Sequence, residues 1–292
     1  MKHLKRTRSK SINVILSIFL LLFDIIMLYP MIYVFSISIS DPYSVIAGKV
    51  VLLPKGFSLE AYKVILKDTY FMQSYLNTLI YCTFGTFITL VLVTLTAYPL
   101  SIRKFKSRKY ITYMHVFTMF FGGGMIPTYL VIKSLGLIDT IWAMVLPNAI
   151  SVWYLLIFRS FFSEISYSLH ESAYIDGAND LTVLYKIIVP LSKPVIATIS
   201  LFSIVAIWND YFSALLYLND RNKHPLQMTL QRILLASQVS TKESSQAKDL
   251  TKTVSMTIKS ATIIITILPI IFIYPSIQKH FVKGVMIGSI KG

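Results

Sequence analysis

One cysteine is too few for an intrachain disulfide, and that cysteine, Cys82, lies inside an apolar run. It reads as a small buried apolar side chain rather than a reactive thiol. Acid is scarce as well, with 13 Asp and Glu against 28 Lys and Arg. The few carboxylates are scattered, and neither a Ser-His-Asp nor a Cys-His set can be assembled. No catalytic residue is therefore assigned, and an enzyme is not expected. The five histidines, His3, His115, His170, His224 and His280, form no close pair such as H-x-x-x-H, so no metal site is expected either. A Walker A motif is also missing. Gly48-Lys49 is the only Gly-Lys pair, and Tyr43 stands where the first glycine of that motif belongs. Gly122-Gly123-Gly124 is followed by no Gly-Lys-Ser/Thr. It reads as a helix irregularity or a close packing point, with Pro127 adding a kink.

What the chain has in quantity is hydrocarbon. Hydrophobic residues make up 55% of it, charged residues only 14%, and the mean hydropathy is +0.65. A soluble domain carries about 25% charged residues. The formal charge of +15 invites a nucleic-acid reading. The cations cluster beside apolar runs, however, with no basic groove of interleaved aromatics, so a nucleic-acid partner is excluded.

A helix crossing the hydrocarbon core needs about 20 apolar residues. Six stretches qualify: 12–38, 74–101, 110–132, 140–160, 194–218 and 256–278. The fold class expected is an all-α integral membrane protein with six transmembrane helices. The first apolar run is too long for a signal-peptide core and reads as a retained span. Two clusters free of acid set the orientation. The first is Lys2, Lys5, Arg6, Arg8 and Lys10, and the second is Arg103, Lys104, Lys106, Arg108 and Lys109. Both fall on one side if every span crosses once, and that side is expected to be the cytoplasm. The segments 39–73 and 219–255 then face outward, although basic residues in 219–255 soften the contrast. Both termini are expected inside. The expected organisation is a basic tail (1–11), one transmembrane domain (12–279) and a C-terminal tail (280–292). "HPLQMTLQRIL" (224–234) reads as a short amphipathic helix outside the last span.

The polar insert at 163–193 is the informative stretch. Its centre is "SLHESAYIDGAND", residues 168–180. Ser168 with Glu171 three residues later has the form of a capping box. Gly177 tolerates positive φ and ends the first helix. Asn179 or Asp180 can cap a second helix, which runs toward Pro190. Ala173 and Ala178 keep one side thin, which suits docking in another protein's groove, and Glu171 and Asp176 offer charge to a basic partner. An ordinary interfacial amphipathic helix is the plain alternative.

Glu171, Ser172, Ala173, Asp176-Gly177-Ala178, Ile187 and Pro190-Leu191 together resemble the EAA loop of ABC-importer permeases, with Ser172 where the name-giving pattern has alanine. The stretches 120–147 and 201–220 resemble the carbohydrate-uptake, maltose-importer-like branch, most closely its complex-oligosaccharide permeases. The resemblance implies a type I ABC importer permease fold in a bacterial plasma membrane. It implies that Glu171, Ser172, Ala173, Asp176, Gly177, Ala178 and Pro190 belong to a coupling helix seated in an ATPase. The implied partners are a second homologous permease, two ATPase subunits or domains that carry ATP and Mg, an extracellular sugar-binding protein and the lipid bilayer. No cofactor is assigned to this chain.

Two acids lie inside apolar stretches, Asp24 and Asp210, and an intramembrane carboxylate is a functional candidate by default. Trp208, Asn209, Asp210 and Tyr211 combine aromatic faces with polar acceptors, which suits sugar rings. A structural polar clamp between helices is the alternative for Asp210, and a structural role is expected of Asp24. The rival function is a stand-alone secondary transporter or channel, driven by an ion gradient through Asp24 and Asp210.

Overall fold

The computed structural model describes residues 2–239 and 256–275. The C-terminal tail 280–292, and 240–255 of the loop before the last span, lie outside the described residues. Among the described residues, three helices are long and apolar enough to cross a membrane: Ile12–Ser38, Thr69–Ser101 and Met256–Pro275. The first belongs to α1 (Lys2–Ser38), and the second is α4 (Thr69–Ser101). Between them lie α2 (Pro42–Ile46) and α3 (Glu60–Lys67).

The other three apolar stretches are not single straight helices. Stretch 110–132 is divided into α5 (Arg108–Phe120) and α6 (Met125–Ser134), which are bent by 113°. Gly124 at the break has φ 85° and ψ 179°, backbone geometry open essentially to glycine alone. The triple glycine is therefore a helix break, and it is exposed rather than packed against the described residues of this chain. Pro127 sits in the first turn of α6, where its missing N–H costs nothing. Stretch 140–160 is α7 (Ile141–Val145) and α8 (Val152–Glu164). After α8 come α9 (Ser168–Ile175), α10 (Asp180–Val183), a π-helical turn (Leu184–Ile188) and α11 (Val189–Leu191). Stretch 194–218 is α12 (Lys193–Trp208) and α13 (Phe212–Tyr217), with α14 (Leu226–Val239) beyond it. Hydropathy sees only the summed apolarity of such stretches and is blind to interruptions of three to six residues.

The chain forms two compact units, Met1–Phe71 with Leu230–Leu268 and Met72–Thr229 with Pro269–Gly292. In the first, α1 is exposed from Ile12 to Ile32, and Asp24 is exposed on it. The segment after α1 is folded back by its own polar groups. Ser36 Oγ donates to the Leu52 carbonyl (2.6 Å), and the Lys55 N–H donates to Ser40 Oγ (3.1 Å). The Asp41 carboxylate accepts from the Ser44 N–H (3.0 Å) and so caps α2. Ile37, Val45 and Val50 are buried beneath.

In the second unit, α4 packs with α8 and the 183–199 region around Val93, Ala97, Leu100, Leu155, Phe158, Val183, Ile188 and Ile199. Lipid tails are as apolar as these side chains, so dispersion and close approach hold the cluster rather than release of water. The far end of α4 is tied down by polar groups instead. Asn77 Nδ2 donates to the Asn222 carbonyl (2.6 Å), Tyr81 OH to the Lys223 carbonyl (2.7 Å), and the Leu226 N–H to Thr78 Oγ1 (2.7 Å). About 20 residues separate Asn77 from Ala97 along α4, roughly 30 Å at 1.5 Å per residue. The two anchored ends are thus about one hydrocarbon thickness apart.

Candidate functional site

The polar insert folds as a closed hairpin. α9 ends in a Schellman turn: the Gly177 N–H donates to the Tyr174 carbonyl (3.1 Å) and the Ala178 N–H to the Ala173 carbonyl (2.9 Å). Gly177 takes φ 79°, as the sequence requires of it. The two alanines are the apolar pair that accompanies this motif, and both pack against the chain's own core. Their small side thus faces inward, which differs from the expectation that it would face a partner's groove. Glu171, Ser172, Ile175, Asp176 and Gly177 are exposed instead. Ser172 Oγ donates to the Ser168 carbonyl (3.0 Å), so its hydroxyl folds down on the helix.

The capping box does not form. Tyr167 is already helical (φ −64°, ψ −22°), which places Ser168 inside the first turn, where its hydroxyl pairs with Ser166 Oγ (2.8 Å). Asn179 does cap α10, with Oδ1 accepting from the Thr182 N–H (2.8 Å). Tyr174 OH donates to Asp180 Oδ1 (2.6 Å) across the turn. That bond, with burial, pushes the Tyr174 phenol upward, so it stays a donor. The π-helical turn Leu184–Ile188 precedes the exposed Pro190. Proline lacks an N–H and crowds the carbonyl four residues back, and widening the turn relieves both. At Ser192 the chain turns by 80° into α12.

His170 fastens the hairpin to α4. It is 4% exposed, and its ring stacks on Tyr98 (centroids 6.0 Å) and on Tyr167 (5.3 Å). Burial holds its pKa below the ordinary value, against opposing pulls from the Ser166 backbone and the Asp180 charge. Both ring nitrogens are closed off from solvent.

A second polar place lies where α7 meets α8 and α12 meets α13. A cavity of about 530 Å³ is lined there by Thr89, Asn148, Ser151, Tyr154, Ser203, Asn209 and Asp210 among others. Interrupted backbone inside a membrane is tolerated where it lines a cavity. Of the four residues singled out in the sequence, Asn209 and Asp210 line it. Trp208 is 2% exposed and meets Tyr75 edge-on, while Tyr211 lies against Phe212. Asp210 Oδ1 accepts from the Ser213 N–H (3.0 Å) and starts α13. Asn209 Oδ1 accepts from Gln227 Nε2 (3.2 Å). The lining from α4 and α8 escaped the sequence reading because single hydroxyls in an apolar run carry no signal. Asn148, directly after Pro147, was the one readable mark.

At the other end, Asp139 adopts φ 60°, the one non-glycine residue with positive φ among those described. Its Oδ1 accepts from the Asn219 (2.6 Å) and Asp220 (2.9 Å) N–H groups, and its carbonyl accepts from Lys223 Nζ (2.8 Å). The Asp220 N–H is the main cause holding this carboxyl below its ordinary pKa; burial opposes it, and Asn219 and Lys223 reinforce it. Nothing in the sequence marked this clamp. Among the described residues, no group of three His, Cys, Asp or Glu could hold a metal ion.

Residues 2–287 match the family described as binding-protein-dependent transport system inner membrane component. The chain is 44% identical over 274 residues to the polygalacturonan/rhamnogalacturonan transport system permease protein YtcP of Bacillus subtilis (strain 168), covering 94% of this chain and 96% of that protein. It is 42% identical over 267 residues to protein LplC of the same organism, with 91% and 90% covered. Among solved structures, a bacterial ABC transporter involved in the import of the acidic polysaccharide alginate matches with a TM-score of 0.85 and 35% identity, covering 93% of this chain and 97% of that one.

Proposed function

Because this chain belongs to the family of binding-protein-dependent transport system inner membrane components, and so is a transport permease subunit rather than an enzyme, we propose that it forms half of the pathway by which an oligosaccharide is imported. The relatives named for polygalacturonan and rhamnogalacturonan and the alginate importer support a saccharide cargo. Each of the broken stretches 110–132, 140–160 and 194–218 counts as one crossing, giving six across 12–279. The N-terminal tail 1–11, the hairpin and the C-terminal tail 280–292 face the cytoplasm.

The hairpin 168–191 couples the pathway to an ATPase. What carries this reading is its two-sidedness: Ala173 and Ala178 lock it to the chain's own core, while Glu171, Ser172, Ile175, Asp176 and Gly177 stand free for a partner. Force applied to that exposed side passes through the Tyr167–His170–Tyr98 stack into α4, and past Pro190 and the Ser192 bend into α12, whose end carries Asn209 and Asp210 at the cavity. A second permease completes the pathway, two ATPase subunits bind ATP and Mg, and an extracellular binding protein delivers the sugar. No observation favours the gradient-driven alternative.

Cysteine cross-linking tests the coupling. Cys82 is buried and the only native cysteine, so in a Cys82→Ser background a cysteine at the 86%-exposed Ile175 reports alone. Cross-links from position 175 to an ATPase subunit in the assembled complex are expected. Labelling of position 175 from outside intact cells, or no cross-link in an active complex, refutes the reading.

A further inference from the structure

The search for sites beyond the coupling hairpin and the pathway cavity leads to the foot of α4. There a cavity of about 480 Å³ opens between the residues that follow α4 and those that follow α8. Arg103, Lys104, Glu164, Ser166, Tyr167 and His170 line it. Two observations give it the character of an anion site. Lys104 Nζ lies 4.9 Å from the centroid of the Tyr167 ring, and that ring stacks on His170, so cation, phenol and imidazole form one column. Two cations against the single carboxylate of Glu164 leave one net positive charge, which matches one phosphodiester.

The location selects the source of that anion. α4, long and apolar enough to cross a membrane, ends at Ser101, and α8 ends at Glu164, so the cavity lies where α4 leaves the hydrocarbon. Ile102, Phe162 and Ile165 provide an apolar wall beside the charges. A headgroup entering here keeps its acyl chains in the bilayer, which a soluble anion cannot exploit. Basic pockets between transmembrane helices are known to take anionic headgroups.

We propose that this cavity is a headgroup site for an anionic glycerophospholipid, with Arg103 and Lys104 holding the phosphodiester and the Ser166 hydroxyl facing the polar end. A lipid seated there would brace the junction between α4 and the hairpin. The proposal stands independently of what the hairpin docks against.

The test is native mass spectrometry of the full chain in mild detergent, titrated with an equimolar mixture of phosphatidylglycerol and phosphatidylcholine. Preferential retention of phosphatidylglycerol is expected. Arg103→Gln with Lys104→Gln should weaken it by roughly thirtyfold, the product of two cations each contributing to headgroup attraction. Lys106→Gln with Lys109→Gln removes equal charge outside the cavity and should leave retention unchanged. The proposal is overturned if phosphatidylcholine is retained equally, if the two double variants behave alike, or if inorganic phosphate at millimolar concentration displaces the lipid completely. All four side chains replaced are exposed or half-exposed, so folding does not obscure the result.

Discussion

Replacing Gly177 separates two costs that a single substitution would confound. The residue holds φ 79°, and a Cβ placed on it would meet nothing within 4 Å. Within the chain, therefore, a side chain at 177 is penalised through the backbone alone, by about 1–2 kcal/mol for an ordinary L-residue. That corresponds to an opening of the hairpin about 5- to 30-fold more frequent. Asparagine and aspartate tolerate this region better than other residues and share one shape. They differ only in charge. If the exposed tip is seated in a partner's cleft, Gly177→Asp buries an unpaired carboxylate, at a cost of several kcal/mol, whereas Gly177→Asn does not. The assay has two readouts, hydrogen exchange of 168–191 and ATPase activity of the purified complex stimulated by binding protein and sugar. Gly177→Ala should speed exchange more than either polar variant. Gly177→Asp should abolish stimulation with the chain still inserted, and Gly177→Asn should retain most of it. Equal stimulation in the Asp and Asn variants would refute the seating of this turn, and unchanged exchange in Gly177→Ala would refute the backbone argument.

Further expectations concern the other polar places. Asp210→Asn keeps the acceptor that starts α13 and removes only the charge, so sugar flux should fall while complex yield is unchanged; equal loss of both would make Asp210 structural. His170 has a lowered pKa in the folded hairpin, so its contribution is complete above the unfolded value near 6.5 and declines as pH falls through the folded value. Exchange of 168–175, corrected for its intrinsic pH dependence, should therefore accelerate as pH falls below about 6.5, and a flat profile counts against the stack as the fastening. Asp139 is also held low, so the clamp on 217–223 should persist down to about pH 4 and loosen only below. Asp139→Asn should expose the Asn219 and Asp220 amides to exchange at neutral pH; unaltered protection there would show that the clamp carries no weight.

The outline of the protein was readable before any coordinates because its driving features are local. Apolar length marks spans whatever packs beside them, so the span Ile12–Ser38 has its expected limits, α4 ends at its expected Ser101 and begins five residues early at Thr69, and the last span begins at Met256 as expected. Gly177 and Asn179 act through their own turns, and both do what their chemistry required. The failures are non-local. Whether Ser168 or Tyr167 starts α9 depends on how the chain leaves α8. The inward face of Ala173 and Ala178 depends on a core contributed by α8 and by α4, the latter some 75 positions away. The Asp139 clamp joins positions about 80 residues apart, and no periodicity records such a meeting. Asn209 and Asp210 were visible as polar residues in an apolar run; Thr89 and Ser203 became legible only once the cavity brought them together.

The break after Phe120 has a bearing on what can surround the molecule. Among the described residues, no acceptor is paired with the N–H groups of Gly122, Gly123 or Gly124, while Phe120, Phe121, Met125 and Ile126 around them are exposed. Acyl chains can wet those aromatics but offer nothing to three amide protons, and each one abandoned in hydrocarbon would cost several kcal/mol. This short stretch therefore marks a gap in the lipid annulus, a place that only water or another polypeptide can fill.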